Sequence, residues 1–334
     1  MAVTLAEASK NTAEDFDAAV IDEFRKESTI MDALVFDDVV NPLSGGGDTL
    51  TYTYRRQVTQ PTAATRALNT EYAAQNVTTV KVSADLAVMG GAFTVDRVIA
   101  KLGAKASGVV NLNLQQKIKA TKTKFQDLVI NGDTAVDVNA FDGLDKALTS
   151  SDTEFRASTA TDWSDLDTTA SVKFVGLDLL DEFLSLLDGT PTLLMGNQRL
   201  LAKIRAIVRR TGMYVRDPIE GLVGQDGRPI RRESYGGIVF ADPGNKAGTN
   251  DPIIPVETRD VGGSKTNLTD LYAVRIGLDG FKGVACTGSQ VVDTWLPDYT
   301  QSGAVKSGEV ELGPIAVALM ATKAAAVWRH IKVA

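Results

Sequence analysis

The 334-residue chain carries one cysteine, Cys286, and one histidine, His330. A single cysteine rules out an intrachain disulfide and any thiolate zinc site built within one chain. His330 sits in Trp328-Arg329-His330-Ile331 near the C-terminus with no nucleophile motif around it. It reads as a structural or surface residue and not as a general base. Aromatic residues make up 6% of the chain, which leaves few platforms for stacking single-stranded nucleic acid. No apolar run approaches the roughly 18 residues of a membrane-spanning helix. The nearest, Ile315 to Met320, is soon followed by Lys323. The opening residues, Met1-Ala2-Val3-Thr4-Leu5-Ala6-Glu7, lack the basic start and apolar centre of a signal peptide. A soluble protein made in the cytoplasm is expected.

What is present suffices for one or two cores: 44% of residues are hydrophobic and 23% charged, a globular balance. The charge is unevenly placed. Residues 1–45 hold ten acids against three bases, which accounts for the whole net charge of −7, so the remainder sums to zero. That distribution argues against a protein gripping nucleic acid through its phosphates. The acidic arm needs solvent or a basic neighbour.

Two runs alternate with a period of two, Leu50-Thr51-Tyr52-Thr53-Tyr54-Arg55 and Val80 to Val88, and so read as strands. Between them lies a stretch rich in Thr, Ala and Asn with Pro61 near its middle. Together they predict one long hairpin. Ten strand residues reach about 34 Å, too far to lie flat on a small domain, and an isolated hairpin is marginal in water. With little apolar surface of its own, this one is expected to be held from outside the subunit.

Before the hairpin, Phe16, Val20, Ile21 and Phe24 mark one helical face, which Ile30, Leu34 and Val35 extend as far as Asn41-Pro42, and Gly45-Gly46-Gly47 forms a hinge. After it, Gly90-Gly91 and Gly103 punctuate a short segment with Val95, Val98 and Ile99. The longest helical seam follows: Val110, Leu114, Ile118, Thr121, Phe125 and Leu128. About 25 helical residues make a rod near 37 Å, closed at Asn131-Gly132-Asp133 by a left-handed cap. At barely three heptads and without paired flanking charges, a coiled coil is disfavoured. Residues 149–169, dense in Ser, Thr and Asp, read as a surface loop. A helix with Phe174, Leu177, Leu180, Phe183, Leu184 and Leu187 stops at Gly189 and Pro191. Thr192 to Met195 is a short buried strand, and Asn197 caps a further helix containing Leu200, Leu201, Ile204, Ile207 and Val208. Asp226-Gly227 marks a hairpin turn, and strands are predicted at 237–240, 271–275, 283–285, 290–292 and from Ile315.

Candidate chemistry is thin. Gly262-Gly263-Ser264-Lys265-Thr266 has the composition but not the order of a phosphate loop, and Gly221-Leu222-Val223-Gly224 lacks the setting of a dinucleotide fingerprint. The acid pairs Asp37-Asp38 and Asp181-Glu182 read as solvated faces, and the sequons at Asn76 and Asn267 have no secretory context. A basic cluster stands out: Arg199, Lys203, Arg205, Arg209 and Arg210, extended by Arg228, Arg231 and Arg232. It is open to three readings: a solvated helix face, a subunit contact matched by acids on a neighbour, or duplex binding, for which no groove-reading motif is present.

The order of these parts resembles the major capsid proteins of tailed double-stranded DNA bacteriophages, the Hong Kong 97-type fold. Gln126 to Asp133 followed by Phe141-Asp142-Gly143-Leu144 is similar to the end of that family's spine helix. Leu194-Met195-Gly196-Asn197 and Tyr235 to Asp242 are similar to strands of its axial domain, and Tyr272 to Gly277 with Ala324 to Val327 to its closing strands. The resemblance implies an α+β fold with an N-terminal arm at 1–41 and an extended loop at 42–89. It further implies a peripheral domain with the spine helix at 90–169 and 286–334, and an axial domain at 170–285. It implies a non-enzymatic protein that self-assembles as pentamers and hexamers into an icosahedral shell around packaged double-stranded DNA, found in the virion and assembled in the bacterial host cytoplasm. The implied partners are itself, a scaffolding protein, a portal and a decoration protein, with no membrane. Catalytic, cofactor-binding and metal-binding residues are expected to be none. Because the arm starts directly, a separate scaffolding protein or a processed precursor is expected. Some members weld subunits through a Lys–Asn isopeptide bond; Lys81 is the only lysine of the hairpin and lies far from its tip, so that bond is not expected. An encapsulin-like compartment is the alternative within the fold. A soluble α/β enzyme is the alternative outside it, disfavoured by the poverty in His and Cys.

Overall fold

The computed structural model describes residues 29–40, 50–101, 104–164, 172–210, 215–223, 229–249, 251–286 and 292–334. The helical pattern at Phe16 to Phe24, Asn41-Pro42 and the glycine hinge lie outside them. In chain order the elements begin with α1 (Thr29–Ala33), β1 (Phe36–Val40), β2 (Thr51–Gln57), β3 (Thr79–Asp85), β4 (Ala87–Asp96), α2 (Arg97–Lys101) and α3 (Ala104–Asn131). The middle of the chain supplies α4 (Leu144–Leu148), β5 (Glu154–Phe155), β6 (Thr161–Asp162), α5 (Val172–Leu184), β7 (Leu193–Gly196) and α6 (Gln198–Arg210). β8 (Val215–Val223), β9 (Pro229–Tyr235), β10 (Ile238–Ala241), β11 (Glu257–Asp260) and β12 (Ser264–Val274) follow. The last are β13 (Phe281–Cys286), β14 (Val292–Trp295), β15 (Val305–Leu319) and β16 (Ala325–Lys332).

Two large sheets organise this mixed α+β chain. A five-stranded sheet runs β1-β13-β15-β14, with β4 also paired to β15. A nine-stranded sheet runs β5-β16-β12-β7-β10-β9-β8, with β6 on β16 and β11 on β12. The C-terminal stretch divides between them, β14 and β15 joining the first and β16 the second. β2 and β3 form a separate two-stranded ribbon.

The long helix α3 lies across the first sheet against β4 and β15. Its seam is unevenly used. Phe125, Leu128, Val129 and Ile130 are buried, with the Phe125 ring 6.0 Å from Phe36 and 5.9 Å from Phe141. Val110, Leu114 and Ile118, nearer the start, are only half-buried. Buried Gln126 caps α1 through its Oε1, which accepts from Ile30 N at 3.1 Å. The end of α3 differs from expectation: Gly132 does not take a left-handed φ. Glycine is required there by close approach, because a Cβ would collide with the carbonyl oxygens of Phe141 and Leu128. Gly143 N donates to Gly132 O at 2.8 Å, which locks the Phe141-Asp142-Gly143-Leu144 turn onto the helix end.

Three further expectations are corrected. The helix predicted to run through Val35 stops at Ala33, and Phe36–Val40 is a strand parallel to β13. Gly90 and Gly91 do not break the chain but continue β4, where Gly90 lets the Val310 carbonyl approach. Part of the 149–169 stretch is structural: β5 and β6 pair in parallel with β16. There Trp163 is fully buried, its ring 4.9 Å from Trp328 and edge-on to it. Phe155 meets Trp328 at 5.2 Å and Phe183 meets it at 5.8 Å. This aromatic nest forms the second core, shared by α5, α6 and the nine-stranded sheet.

Candidate assembly interface

The β2–β3 ribbon is antiparallel from Thr51↔Asp85 to Gln57↔Thr79. Pleating sends Tyr52, Tyr54 and Arg56 to one face with Val82 and Ala84. That face sits on the end of β15. Tyr54 Oη donates to Leu319 O at 2.7 Å, while Arg56 donates to Leu319 O at 2.6 Å and to Met320 O at 3.2 Å. The Tyr52 and Tyr54 rings stack at 5.6 Å, and Lys282 Nζ lies 5.1 Å from the Tyr52 centroid. The same ammonium donates to Asp37 Oδ2 at 2.5 Å. Burial pushes the Tyr54 phenol above its ordinary value, against the opposing pull of Arg56. Burial opposes the charge on Lys282, but Asp37 and Tyr52 outweigh it and raise the ammonium above its ordinary value. The expectation that the hairpin has little surface for docking is therefore wrong for its base, which is bolted to its own subunit. Asp37 is likewise a half-buried ion-pair partner and not part of a freely solvated face. The second alternating run also ends earlier than expected, at Asp85, and Val88 belongs to β4.

Beyond Gln57 the hairpin leaves the body. Every residue from 57 to 81 is exposed. Among the described residues the segment bonds only to itself: Val58 N to Thr78 O at 2.9 Å, Thr62 N to Gln75 Oε1 at 2.7 Å, and a turn at 67–70 with Asn69 at φ 65°. It carries Leu68, 89% exposed, and Tyr72, 61% exposed. On the outer face of the ribbon Arg55 stands directly opposite Lys81, both exposed. Like charges so placed repel, and among the described residues neither forms an ion pair. A protruding arm with bare apolar side chains and an unmatched basic pair is built to meet another surface.

The helical part of the basic cluster lies on α6. Asn197 caps that helix as predicted, its Oδ1 accepting from Arg199 N at 3.0 Å. Arg199 and Arg209 are exposed, whereas Lys203 donates to Ser164 O at 2.9 Å. Arg228 and the side chains of Arg210, Arg231 and Arg232 lie outside the described residues. Of the acid pair on α5, Asp181 accepts from Tyr235 Oη at 3.0 Å, and Glu182 is exposed. Burial and then Asp181 push the Tyr235 phenol up to about 12.

One charged cluster went unread in the sequence because its members span residues 145 to 330. Arg329 pairs with Asp145, with Glu154 at 2.8 Å and with Asp270 at 3.4 Å. Arg259 reaches Asp270 and Glu257 at 2.8 and 2.7 Å, and Tyr272 Oη donates to Asp145 at 2.8 Å. His330 N–H donates to Asp270 at 3.0 Å, and its ring Nε2 is 3.0 Å from Ala157 O. The histidine thus serves the backbone of β16, at a left-handed φ of 57°. Burial first, then Asp270 and Asp145, raise the Tyr272 phenol well above its ordinary value. Burial opposes the Arg329 charge, but Tyr272 and the carboxylates hold its affinity for a proton above that of a free guanidinium. These groups line a cavity of about 440 Å³. They knit α4, β5 and β11 to β12 and β16, with each cation answered by acids.

The remaining motifs resolve as turns and strands. Gly262 and Gly263, both at positive φ, turn the chain from β11 into β12, and Gly221 to Val223 end β8. Among the described residues no group of three or more His, Cys, Asp or Glu is arranged to hold a metal ion, and no helix is long and apolar enough to cross a membrane.

No family model matches this sequence, and no curated protein matches it. Solved structures do. The capsid of Myoviridae phage XM1 aligns with a TM-score of 0.56 at 11% identity, over 98% of this chain and 98% of that one. The chain has the fold of phage capsid proteins. The capsid of a native GTA particle gives 0.58 at 10% identity over 96% and 95% of the two chains. The holo-SrpI encapsulin complex of Synechococcus elongatus gives 0.56 at 13% identity over 100% and 97%. These alignments cover 96–100% of this chain, at identities where only the fold is shared.

Proposed function

We propose that this chain is the major capsid protein of a tailed bacteriophage, assembling as pentamers and hexamers into the icosahedral shell that encloses packaged double-stranded DNA. The observation that carries this reading is the hairpin: a base bolted to its own subunit through Tyr54, Arg56 and Lys282, and a distal half that buries nothing against it. Such a segment is stabilised only when a neighbour covers it. The neutral-to-acidic balance fits a container that must enclose DNA without gripping it. The proposed organisation is an arm at 1–41, an extended loop at 42–89, a peripheral domain at 90–169 and 286–334, and an axial domain at 170–285. The proposed setting is the virion, after assembly in the host cytoplasm with a scaffolding protein, a portal and a decoration protein. The likeness to an encapsulin supports a second reading, a compartment loaded with protein cargo.

Deleting Pro61 to Ala73 tests the strap. Subunits are expected to keep their far-ultraviolet circular dichroism and cooperative unfolding while losing assembly in sedimentation velocity. Loss of folding would mean that those residues belong to the core, and unimpaired assembly would remove the hairpin from the interface.

A further inference from the structure

Helices α5 and α6 pack against each other over the aromatic nest of the nine-stranded sheet, and each turns a charged face outward. On α5 the buried stripe of Leu177, Leu180 and Phe183 leaves Asp178 and Glu182 exposed one turn apart, beside Val175, which is 47% exposed. On α6 the buried stripe of Leu200, Ile204 and Val208 leaves Arg199 and Arg209 exposed at the two ends of the outer face, with Ala202 between them. Those two arginines are separated by about 15 Å along the axis. Among the described residues Asp178, Glu182, Arg199 and Arg209 enter no ion pair, although the two helices touch.

We propose that the acidic face of α5 in one copy docks on the basic face of α6 in the next copy of the same chain, a head-to-tail contact that closes capsomer rings. The charges are opposite in sign across copies, the exposed Val175 adds an apolar contact one turn before Asp178, and Ala202 leaves room between the two arginines for a second helix. A contact between two different patches is heterologous and propagates around a ring, as a cyclic pentamer or hexamer requires. DNA is the poorer occupant, because Asp178 and Glu182 on the neighbouring helix repel phosphate. This contact rests on the shell reading and adds to it which faces meet.

The test uses the full chain, with its scaffold if that is needed for assembly, in three forms: Asp178→Lys with Glu182→Lys, Arg199→Glu with Arg209→Glu, and all four together. Each pair alone is expected to abolish the assembled species in sedimentation velocity at low salt, and the fourfold swap to restore it. An equal mixture of the two double variants alternates matched contacts, so it is expected to form even-membered rings and no pentamers. If both double variants assemble like the parent, or if the fourfold swap and the mixture both fail while circular dichroism reports folded chains, the pairing is wrong. Loss of duplex DNA retention without loss of assembly would also overturn it, in favour of a nucleic-acid face. Failure of the unsubstituted chain to assemble under any condition instead overturns the shell reading itself.

Discussion

Lys282 Nζ lies 2.5 Å from Asp37 Oδ2 and directly beneath the Tyr52 ring, so one ammonium ties β1, β13 and the hairpin base together. The lysine is 4% exposed, and among the described residues the Asp37 carboxylate and the Tyr52 ring stabilise its charge. Water still reaches Asp37, whose side chain is 27% exposed, which limits the cost of leaving it unpaired.

Lys282→Met is therefore expected to lower the unfolding free energy by about 1–3 kcal/mol, less than the 3–5 kcal/mol typical of a fully buried pair losing one member. Urea denaturation measures this. The pair also carries an alkaline signature. The folded Lys282 holds its proton more tightly than the unfolded one, so its contribution is complete below the unfolded value of about 10.4 and is lost as pH rises through the folded value. The difference between parent and variant should shrink in that alkaline window and remain constant between pH 6 and 9.

Asp162 gives the opposite sign. Burial opposes its charge, but Lys332 and Ser164 prevail and hold the carboxyl at about 2. Its contribution is present above the unfolded value of about 3.9 and is lost as pH falls toward 2. With the side chain 57% exposed, the effect of Asp162→Asn near neutral pH is expected to stay below about 1 kcal/mol. It should fade as pH falls from about 4 through 2 and be gone only below that, as followed by thermal melts across an acid series.

Arg55→Glu converts the repelling pair with Lys81 into an attractive cross-strand pair. An unassembled subunit should become slightly more resistant to proteolysis at the hairpin, whereas assembly should weaken if the basic pair faces an acidic neighbour. Limited proteolysis and sedimentation on the same sample separate the two effects. Unchanged assembly would mean that the pair faces solvent in the shell.

Local pattern carried much of the architecture. The α3 seam, the apolar helix α5, the short strand β7 and the Asn197 cap of α6 are dictated within a few residues of themselves and lie where periodicity places them, except that α5 ends at Leu184, short of Leu187. What escaped depends on partners far away in sequence. β5 and β6 are two residues each, too short to alternate, and exist because β16 offers them a parallel edge. Gly90 looked like a break because the Val310 carbonyl that demands it is more than 200 residues away. Arg329 gathers Asp145, Glu154 and Asp270 from three elements, and nothing in Trp328-Arg329-His330 announces them. For the interface, the long hairpin is legible from alternation and polarity, but its anchor is not, because Lys282 and Leu319 belong to strands β13 and β15 at the other end of the chain and Met320 directly follows β15.

Electron microscopy of the purified chain, alone and co-expressed with its scaffolding protein, tests the central claim most directly. Closed, megadalton shells with fivefold vertices, the hairpin of each subunit lying over its neighbour, are the predicted result. A stable, well-folded monomer under every condition, with the hairpin free in solution, would contradict it.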